Sequence, residues 1–261
     1  MSRLENKIAF ITGAARGIGK GIAEAYAREG ASLVLTDLQA DLLRETAEEI
    51  RALSKGRVSA FPMDVRDSVA IAEVVRKTIE EFGRIDILVN VAGVIRINLV
   101  VDKPEEEWDL VVDTNLKGPF LVSKAVVREM VNLGTKGKIV TIASLNSKEG
   151  EAYTSDYAAS KHGLWGLMKS LAYELAPYHI NVNCICPGYV DTELQRGCER
   201  MEAEAKGKTW QEIRDYYAAK IPFGYLATPA EIGKVAVFLA SADADYMTGQ
   251  AVNVCGGAIM H

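Results

Sequence analysis

Short apolar runs alternate with amphipathic helical stretches from one end of this chain to the other. The runs are rich in Val, Ile and Leu and mostly continuous, which is typical of strands covered on both faces of a sheet. We assign strands to 7–12, 32–36, 58–63, 86–90, 138–143, 180–186 and 251–255, and helices to about 18–29, 42–53, 67–82, 104–132, 156–176 and 229–240. This order predicts one α/β domain over 1–261, with a doubly wound, Rossmann-type parallel sheet of about seven strands.

The segment 189–226 departs from this alternation. It is charged and helix-prone, and it follows a strand at the sheet edge where ligands bind in such folds. We interpret it either as a lid that covers the substrate or as a solvated helical excursion. The two interpretations have equal weight at this point.

Charge and composition exclude several classes of protein. The chain has 49% apolar and 25% charged residues, and a net charge of −5 from 30 basic and 35 acidic residues. These values indicate a globular protein with no electrostatic attraction to nucleic acid. No apolar run is long enough to span a bilayer, and the charges at Arg3, Glu5 and Lys7 do not fit a signal peptide. We therefore expect a cytoplasmic protein without membrane partners.

The cysteines and histidines do not predict a metal site. Cys184 and Cys186 would share one face of a strand, but no second pair stands at zinc-site spacing, and the three histidines form no H-x-x-x-H pair. We interpret the two cysteines as small core residues.

A glycine-rich turn joins the first strand to the first helix. Gly13, Gly17 and Gly19 are spaced G-x-x-x-G-x-G, with Arg16 and Ile18 between them. Glycines permit close approach of the backbone to a pyrophosphate, and a helix N-terminus offers unpaired N–H groups. The turn predicts a dinucleotide site.

Asp37 indicates which dinucleotide. It ends the second strand, 24 residues after Gly13, where a carboxylate would accept hydrogen bonds from ribose hydroxyls and repel a 2′-phosphate. Arg16 could favour NADP, but the strand end is better placed than the loop. We therefore predict NAD.

Tyr157 and Lys161 lie one turn apart on one face of a predicted helix, and Ser144 ends the strand before it. A phenol has a pKa near ~10, which a neighbouring ammonium would lower toward the range needed for general acid–base catalysis.

These residues occur in order with Asn90, Ala92, Gly93, Asn115, Pro187, Gly188 and Thr192 along practically the whole chain. The set resembles the short-chain dehydrogenase/reductase family. Val91 departs from it, because many members have a second Asn there. The resemblance implies that Tyr157 is the acid/base, that Ser144 binds the substrate oxygen, and that Lys161 holds the nicotinamide ribose and lowers the tyrosine pKa.

The resemblance also implies further contacts. Asn115 would support a water relay, and the enzyme would be a homo-oligomer, either a dimer or a tetramer. The implied cofactor-binding residues are Gly13, Arg16, Gly17, Ile18, Gly19, Asp37, Asp64, Val65, Asn90, Ala92, Gly93, Tyr157, Lys161, Pro187, Gly188, Val190 and Thr192. Ser155 is expected to be the N-cap of the helix that carries Tyr157.

The loops expected around the substrate are polar. They offer Arg96, Asn146, Glu149, Glu151, Tyr189, Glu193, Gln195 and Trp210. This set favours a polyol, sugar or sugar acid. Asn146 and Arg96 are candidate substrate contacts, with Arg96 gripping a carboxylate or phosphate unless it is simply a solvated loop cation.

The leading prediction is an NAD-dependent dehydrogenase of small polar alcohols, acting in carbohydrate metabolism. One alternative is an NADPH-dependent reductase of 3-oxoacyl groups on acyl carrier protein, against which Asp37 argues. The other is a dinucleotide-binding sensor without turnover, which the intact Asn115, Ser144, Tyr157 and Lys161 disfavour.

Overall fold

The structure is a computed structural model that describes residues 2–261. Within this range the strands are β1 (Ile8–Thr12), β2 (Ser32–Asp37), β3 (Val58–Pro62), β4 (Ile87–Asn90), β5 (Lys138–Ile142), β6 (Asn181–Pro187) and β7 (Ala251–Val254). All pair in parallel, in the spatial order β3-β2-β1-β4-β5-β6-β7. The predicted single-domain α/β fold with a seven-stranded parallel sheet is confirmed.

The described helices follow the strands in sequence. They are α1 (Gly17–Arg28), α2 (Ala40–Leu53), α3 (Ser68–Phe82), α4 (Glu105–Val112), α5 (Gly118–Asn132), α6 (Ser155–Leu175), α7 (Glu193–Lys206), α8 (Trp210–Ala219) and α9 (Pro229–Ala240). The continuous helix predicted over 104–132 is instead interrupted between α4 and α5 by a π-helical turn, Asp113–Lys117. The segment 189–226 contains α7 and α8.

Two apolar layers cover the sheet. Helices α1, α2 and α9 bury Ile22, Ile50 and Val237 against one face. Helices α3, α5 and α6 bury their apolar residues against the other face, where Cys184 and Cys186 are also buried as free thiols. Both faces of the strands are therefore dry, which explains their continuous apolar sequences.

The strand order locates the ligand-binding edge. From β1 the chain proceeds outward to β2 and β3, whereas β4 lies on the opposite side of β1 and begins the run to β7. The crevice beyond the carboxyl ends of β1 and β4 is the topological switch point, where ligands bind in open parallel sheets. None of the helices in 2–261 has both the length and the apolar character needed to cross a lipid bilayer.

Candidate active site

A cavity of about 680 Å³ opens at this switch point, a volume usual for a small-molecule site. It runs from the glycine turn to the loop after β5 and to α7. It brings together these predicted site residues: Gly13, Arg16, Gly17, Ile18, Gly19, Asp37, Asp64, Val65, Ala92, Gly93, Ser144, Asn146, Tyr157, Lys161, Pro187, Gly188, Val190 and Thr192.

The glycine turn has room for backbone and for nothing larger. Gly13 has φ +63°, and a Cβ atom there would lie 2.8 Å from the backbone of Ala92. A Cβ atom on Gly19 would lie 2.0 Å from the carbonyl oxygen of Gly13. Arg16, at the N-cap of α1, makes no side-chain hydrogen bond to the first turn. The first-turn N–H groups therefore remain free to bind an anion, and the turn fits a dinucleotide pyrophosphate.

Asp37 is held in place by two backbone donors. Its Oδ2 accepts a hydrogen bond from the Ala15 N–H at 3.1 Å, and its Oδ1 accepts one from the Gln39 N–H at 3.0 Å. An ionised carboxylate has about four acceptor positions, so capacity remains for ribose hydroxyls. The site thus fits the adenosine ribose of a dinucleotide.

Ser144, Tyr157 and Lys161 meet in the middle of the cavity. Ser144 follows β5, and its Oγ accepts a hydrogen bond from the Asn146 N–H at 3.1 Å. Tyr157 and Lys161 lie one turn apart on α6, with the Lys161 ammonium 5.5 Å from the centre of the Tyr157 ring. Lys161 Nζ also donates to the carbonyl oxygen of Ile142 at 2.9 Å, which fixes it beneath the strand end.

Burial dominates the titration of these groups in the protein on its own. Desolvation raises the pKa of Tyr157 to about 12, and the neighbouring Ser144 hydroxyl only partly opposes this. Desolvation also lowers the pKa of Lys161 to about 8. Exclusion of water is thus the largest cause of both pKa shifts in the protein on its own, and the lowering of the tyrosine pKa by Lys161 stays a prediction.

Asn115 lies in the π-helical turn and does not line the cavity. Its Oδ1 accepts from the Val94 N–H at 2.8 Å, and its Nδ2 donates to the Val94 carbonyl at 2.8 Å and to Ser160 Oγ at 3.3 Å. The side chain thus joins the loop after β4 to α6. A Cβ atom on Gly93 would come within 3.2 Å of Asn115 Oδ1, so this packing favours glycine at 93.

Two other predicted site residues lie outside the cavity wall. Asn90 is buried and donates to Ser123 Oγ and Thr141 Oγ1, so it joins β4 to its neighbours. Arg96 lies 3.7 Å from Glu107 Oε1 and donates to the carbonyl oxygen of its own neighbour Ile95. The cavity does not contain the guanidinium expected to grip a substrate anion.

Two expectations about neighbouring loops also need correction. Trp210 does not line the cavity, and its Nε1 donates a hydrogen bond to the buried Glu199 Oε2 at 2.9 Å. Ser155 is the first residue of α6 rather than its N-cap, which is Thr154. The carboxylate of Asp156, not a capping hydroxyl, accepts the hydrogen bond from the Tyr157 N–H.

The sequence did not single out several residues of the cavity wall. Lys220, Arg66, Cys198 and Ile259 all line it. Lys220 lies at the C-cap of α8, inside a charged helical segment whose other lysines look the same in sequence. Lys220 differs from those lysines only because the end of α8 lies beside the cavity, which the sequence pattern does not indicate.

Comparisons with known proteins agree with this geometry. The family model described as "Enoyl-(Acyl carrier protein) reductase" matches residues 13–259. Galactitol 2-dehydrogenase from Agrobacterium fabrum is 42% identical, covering 98% of each chain. The 3-oxoacyl-(acyl-carrier-protein) reductase FabG of Thermotoga maritima is 38% identical, covering 99% of this chain and 100% of its own. A variant of actinorhodin polyketide ketoreductase, solved with NADPH, superposes with a TM-score of 0.94 at 35% identity, covering 99% of each chain.

The chain belongs to the short-chain dehydrogenase/reductase family. This confirms the resemblance inferred from the motifs. As a short-chain dehydrogenase/reductase, the protein is an oxidoreductase that acts on an alcohol or ketone with a nicotinamide dinucleotide.

Proposed function

We propose that this protein is an NAD(H)-dependent dehydrogenase that interconverts the secondary alcohol and ketone of a small polar substrate, namely a polyol, sugar, sugar acid or vicinal diol. The observation that carries the proposal is the convergence of Ser144, Tyr157 and Lys161 at the middle of one cavity. The glycine turn forms one end of that cavity, and the wall beyond Tyr157 carries polar side chains interspersed with apolar ones such as Leu145, Leu194 and Ile259.

Each of these side chains has a role in oxidation. The Tyr157 phenolate takes the proton of the substrate hydroxyl, and Ser144 donates a hydrogen bond to the same oxygen. Lys161 stabilises the phenolate through its positive charge, because an ammonium in a site from which water is excluded acts with little screening. The bound nicotinamide supplies the hydride acceptor. Tyr157 must ionise at a pH well below 12 for this reaction, and we infer that cofactor and substrate complete the surroundings that lower its pKa.

Support for a polar substrate comes from the wall beyond Tyr157. It includes Asn146, Glu149, Glu151, Tyr189 and Gln195. Some of these groups have partners in the protein, such as Thr154 for Asn146 and Glu199 for Gln195. An apolar ligand would leave their remaining donors and acceptors unpaired, at a cost of about 1–3 kcal/mol for each buried group. The similarity to galactitol 2-dehydrogenase over nearly the whole chain agrees with this choice.

The preference for NAD rests on Asp37, whose carboxylate lines the cavity at the end of β2. A 2′-phosphate beside it would experience like-charge repulsion in partly buried surroundings. We further expect the enzyme to work in the cytoplasm as a homodimer or homotetramer, as the family resemblance implies.

A second candidate is the NADPH-dependent reduction of 3-oxoacyl groups carried on acyl carrier protein. It is favoured by the similarity to the Thermotoga maritima reductase along the entire chain and by the ketoreductase solved with NADPH. Arg16, which lines the cavity in the glycine turn, is the cation that would meet a 2′-phosphate.

The deciding experiment follows NADH formation with polyols, sugar acids and vicinal diols, alongside NADPH oxidation with a 3-oxoacyl thioester. We expect Tyr157→Phe to lose at least ~10²-fold in turnover, the usual scale for removing a general acid/base, while it still binds NADH. Ser147→Ala is the matched control, because the Ser147 hydroxyl is buried, has no partner in the described chain and does not line the cavity. Near-normal turnover of Tyr157→Phe would contradict the proposal, and activity confined to the thioester would favour the second candidate.

A further inference from the structure

Three polar side chains from separate elements meet on the cavity wall beyond Tyr157. Glu151 comes from the loop before α6, Tyr189 from the segment after β6, and Lys220 from the C-cap of α8. The Lys220 Nζ lies 3.6 Å from Glu151 Oε1, and the Tyr189 hydroxyl lies 3.4 Å from the same oxygen. We call these residues the distal cluster.

The side chains of the distal cluster lie near one another, but the ion pair between Lys220 and Glu151 is longer than a strong hydrogen bond. Charge-assisted N–H···O bonds are usually about 2.7–2.9 Å long, so 3.6 Å leaves the donors of Lys220 and the acceptors of Glu151 unsatisfied by each other. Both side chains are about one-third exposed, at 38% and 35%, so a ligand in the cavity can reach them. The Lys220 ammonium also lies 4.5 Å from the centre of the Tyr216 ring, a cation–π distance that helps to orient it.

Tyr189 adds a fixed donor to the distal cluster. Burial raises the pKa of Tyr189 to about 12, so its hydroxyl keeps its proton at neutral pH. The other two residues have opposite capacities: the carboxylate of Glu151 only accepts hydrogen bonds, and the ammonium of Lys220 only donates them.

A hydroxyl group matches this pair better than a carboxylate or a methyl group does. It can donate to Glu151 and accept from Lys220 at the same time. A carboxylate could accept from Lys220, but Glu151 would repel it. A methyl group would leave both charges without a ligand partner.

The remaining charges at this end of the cavity also oppose an anion. Glu149 and Glu193 line the wall as well, whereas Lys220 is the only cation of the described wall beyond Lys161, since Arg16 and Arg66 lie at the cofactor end. Glu193 is paired with Arg200, which does not line the cavity. Carboxylates therefore outnumber ammonium groups where the far end of the substrate would lie.

We propose that Glu151 and Lys220 together bind a second hydroxyl group of the substrate, so that the enzyme selects neutral polyols over sugar acids. This inference rests on the proposed dehydrogenase function and narrows its substrate class. It assigns to Lys220 the recognition of a hydroxyl, in place of the recognition of an anion that the sequence assigned to Arg96.

The test compares kcat/KM with NAD for polyols, for the matching aldonates, and for analogues in which single distal hydroxyls are replaced by hydrogen. The variants are Glu151→Gln and Lys220→Met. The matched controls are Glu204→Gln and Lys208→Met, which make the same changes at exposed residues of the segment 189–226. NADH binding, followed by fluorescence, checks that each variant retains the cofactor site.

For the wild type we expect kcat/KM to be about tenfold or more higher for the polyol than for the deoxy analogue that lacks the hydroxyl bound by Glu151 and Lys220. We also expect kcat/KM to be higher for the polyol than for the aldonate. In each variant kcat/KM for the polyol should fall about tenfold through a higher KM, whereas kcat/KM for that deoxy analogue should change little. In the double variant the losses should not add, because one hydroxyl bridges both residues. Glu151→Gln should also improve the aldonate relative to the polyol, because it removes the repulsion.

Two results would overturn the inference: a wild-type preference for the aldonate, or equal losses on the polyol and on every deoxy analogue. If turnover of some alcohol or ketone still depends on Tyr157, the dehydrogenase function stands and only the hydroxyl recognition is wrong. If no substrate gives turnover that Tyr157→Phe abolishes, the proposed function fails, and the inference fails with it.

Discussion

Lys103 Nζ lies 3.0 Å from Asp156 Oδ2, and only 3% and 0% of the two side chains are exposed. Asp156 immediately precedes Tyr157, and its Oδ1 accepts a hydrogen bond from the Tyr157 N–H at 2.8 Å. Lys103 belongs to the loop that leads into α4. This buried ion pair therefore fixes the first turn of the helix that carries the proposed acid/base to a loop some fifty residues earlier in the chain.

Removing one member of such a pair leaves the other charged and buried. We expect Lys103→Met to lower the free energy of unfolding by about 3–5 kcal/mol in urea denaturation, because Asp156 would lose its cation. Adding Asp156→Asn to Lys103→Met should restore part of the lost free energy of unfolding, because a neutral amide costs less to bury than an unpaired carboxylate. Lys117→Met is the control: its pair with Asp113 is largely exposed and should contribute about 0–1 kcal/mol. A Lys103→Met protein as stable as the wild type would mean that the pair contributes nothing.

The cofactor preference depends on one carboxylate. We expect a higher kcat/KM with NAD than with NADP. Asp37→Ser should lower the ratio of these two values by about tenfold or more, because serine keeps a hydrogen-bonding group and removes the repulsion of the 2′-phosphate. Asp41→Ser is the control, since Asp41 is exposed in the first turn of α2 and carries the same charge. A wild-type preference for NADP would show that Arg16 outweighs Asp37.

The strands and the glycine turn could be predicted from sequence because their causes are local. Each predicted strand end lies within one residue of the observed end, since continuous apolar runs leave little choice for a chain buried on both sides. The spacing of Gly13, Gly17 and Gly19 likewise reflects backbone contacts within one turn and with the neighbouring strand end.

The placements that could not be predicted depend on contacts between residues that are far apart in the sequence. Asn115 was expected in a regular helix, and the π-helical turn that positions it has no signature in the local pattern. The opposite placements of Arg96 and Lys220 follow from how the loop before α4 and the end of α8 pack. No periodicity in the sequence encodes whether a surface cation faces Glu107 or the cavity.

The buried ammonium of Lys161 makes stability depend on pH. Burial lowers its pKa from the usual value of 10.5 to about 8, so between these values the unfolded chain binds more protons than the native protein, and stability rises with pH. Below about pH 8 the cost of burying the charge is fully present. We expect Lys161→Met to remove this dependence.

The measurement is urea denaturation of the wild type and Lys161→Met at pH 7 and pH 10, without cofactor. The stability of the variant relative to the wild type should fall by about 2–3 kcal/mol between these pH values, because one pKa unit corresponds to about 1.4 kcal/mol. Titrations common to both proteins cancel in the difference. The upper limit is set at pH 10 because Tyr157 acts in the opposite direction above it: its pKa is raised from 10.0 to about 12, so the native protein holds a proton that the unfolded chain releases. Lys124→Met, on the exposed face of α5, should show no such change. A difference between wild type and Lys161→Met that stays constant with pH would mean that the ammonium of Lys161 is solvated in the native protein.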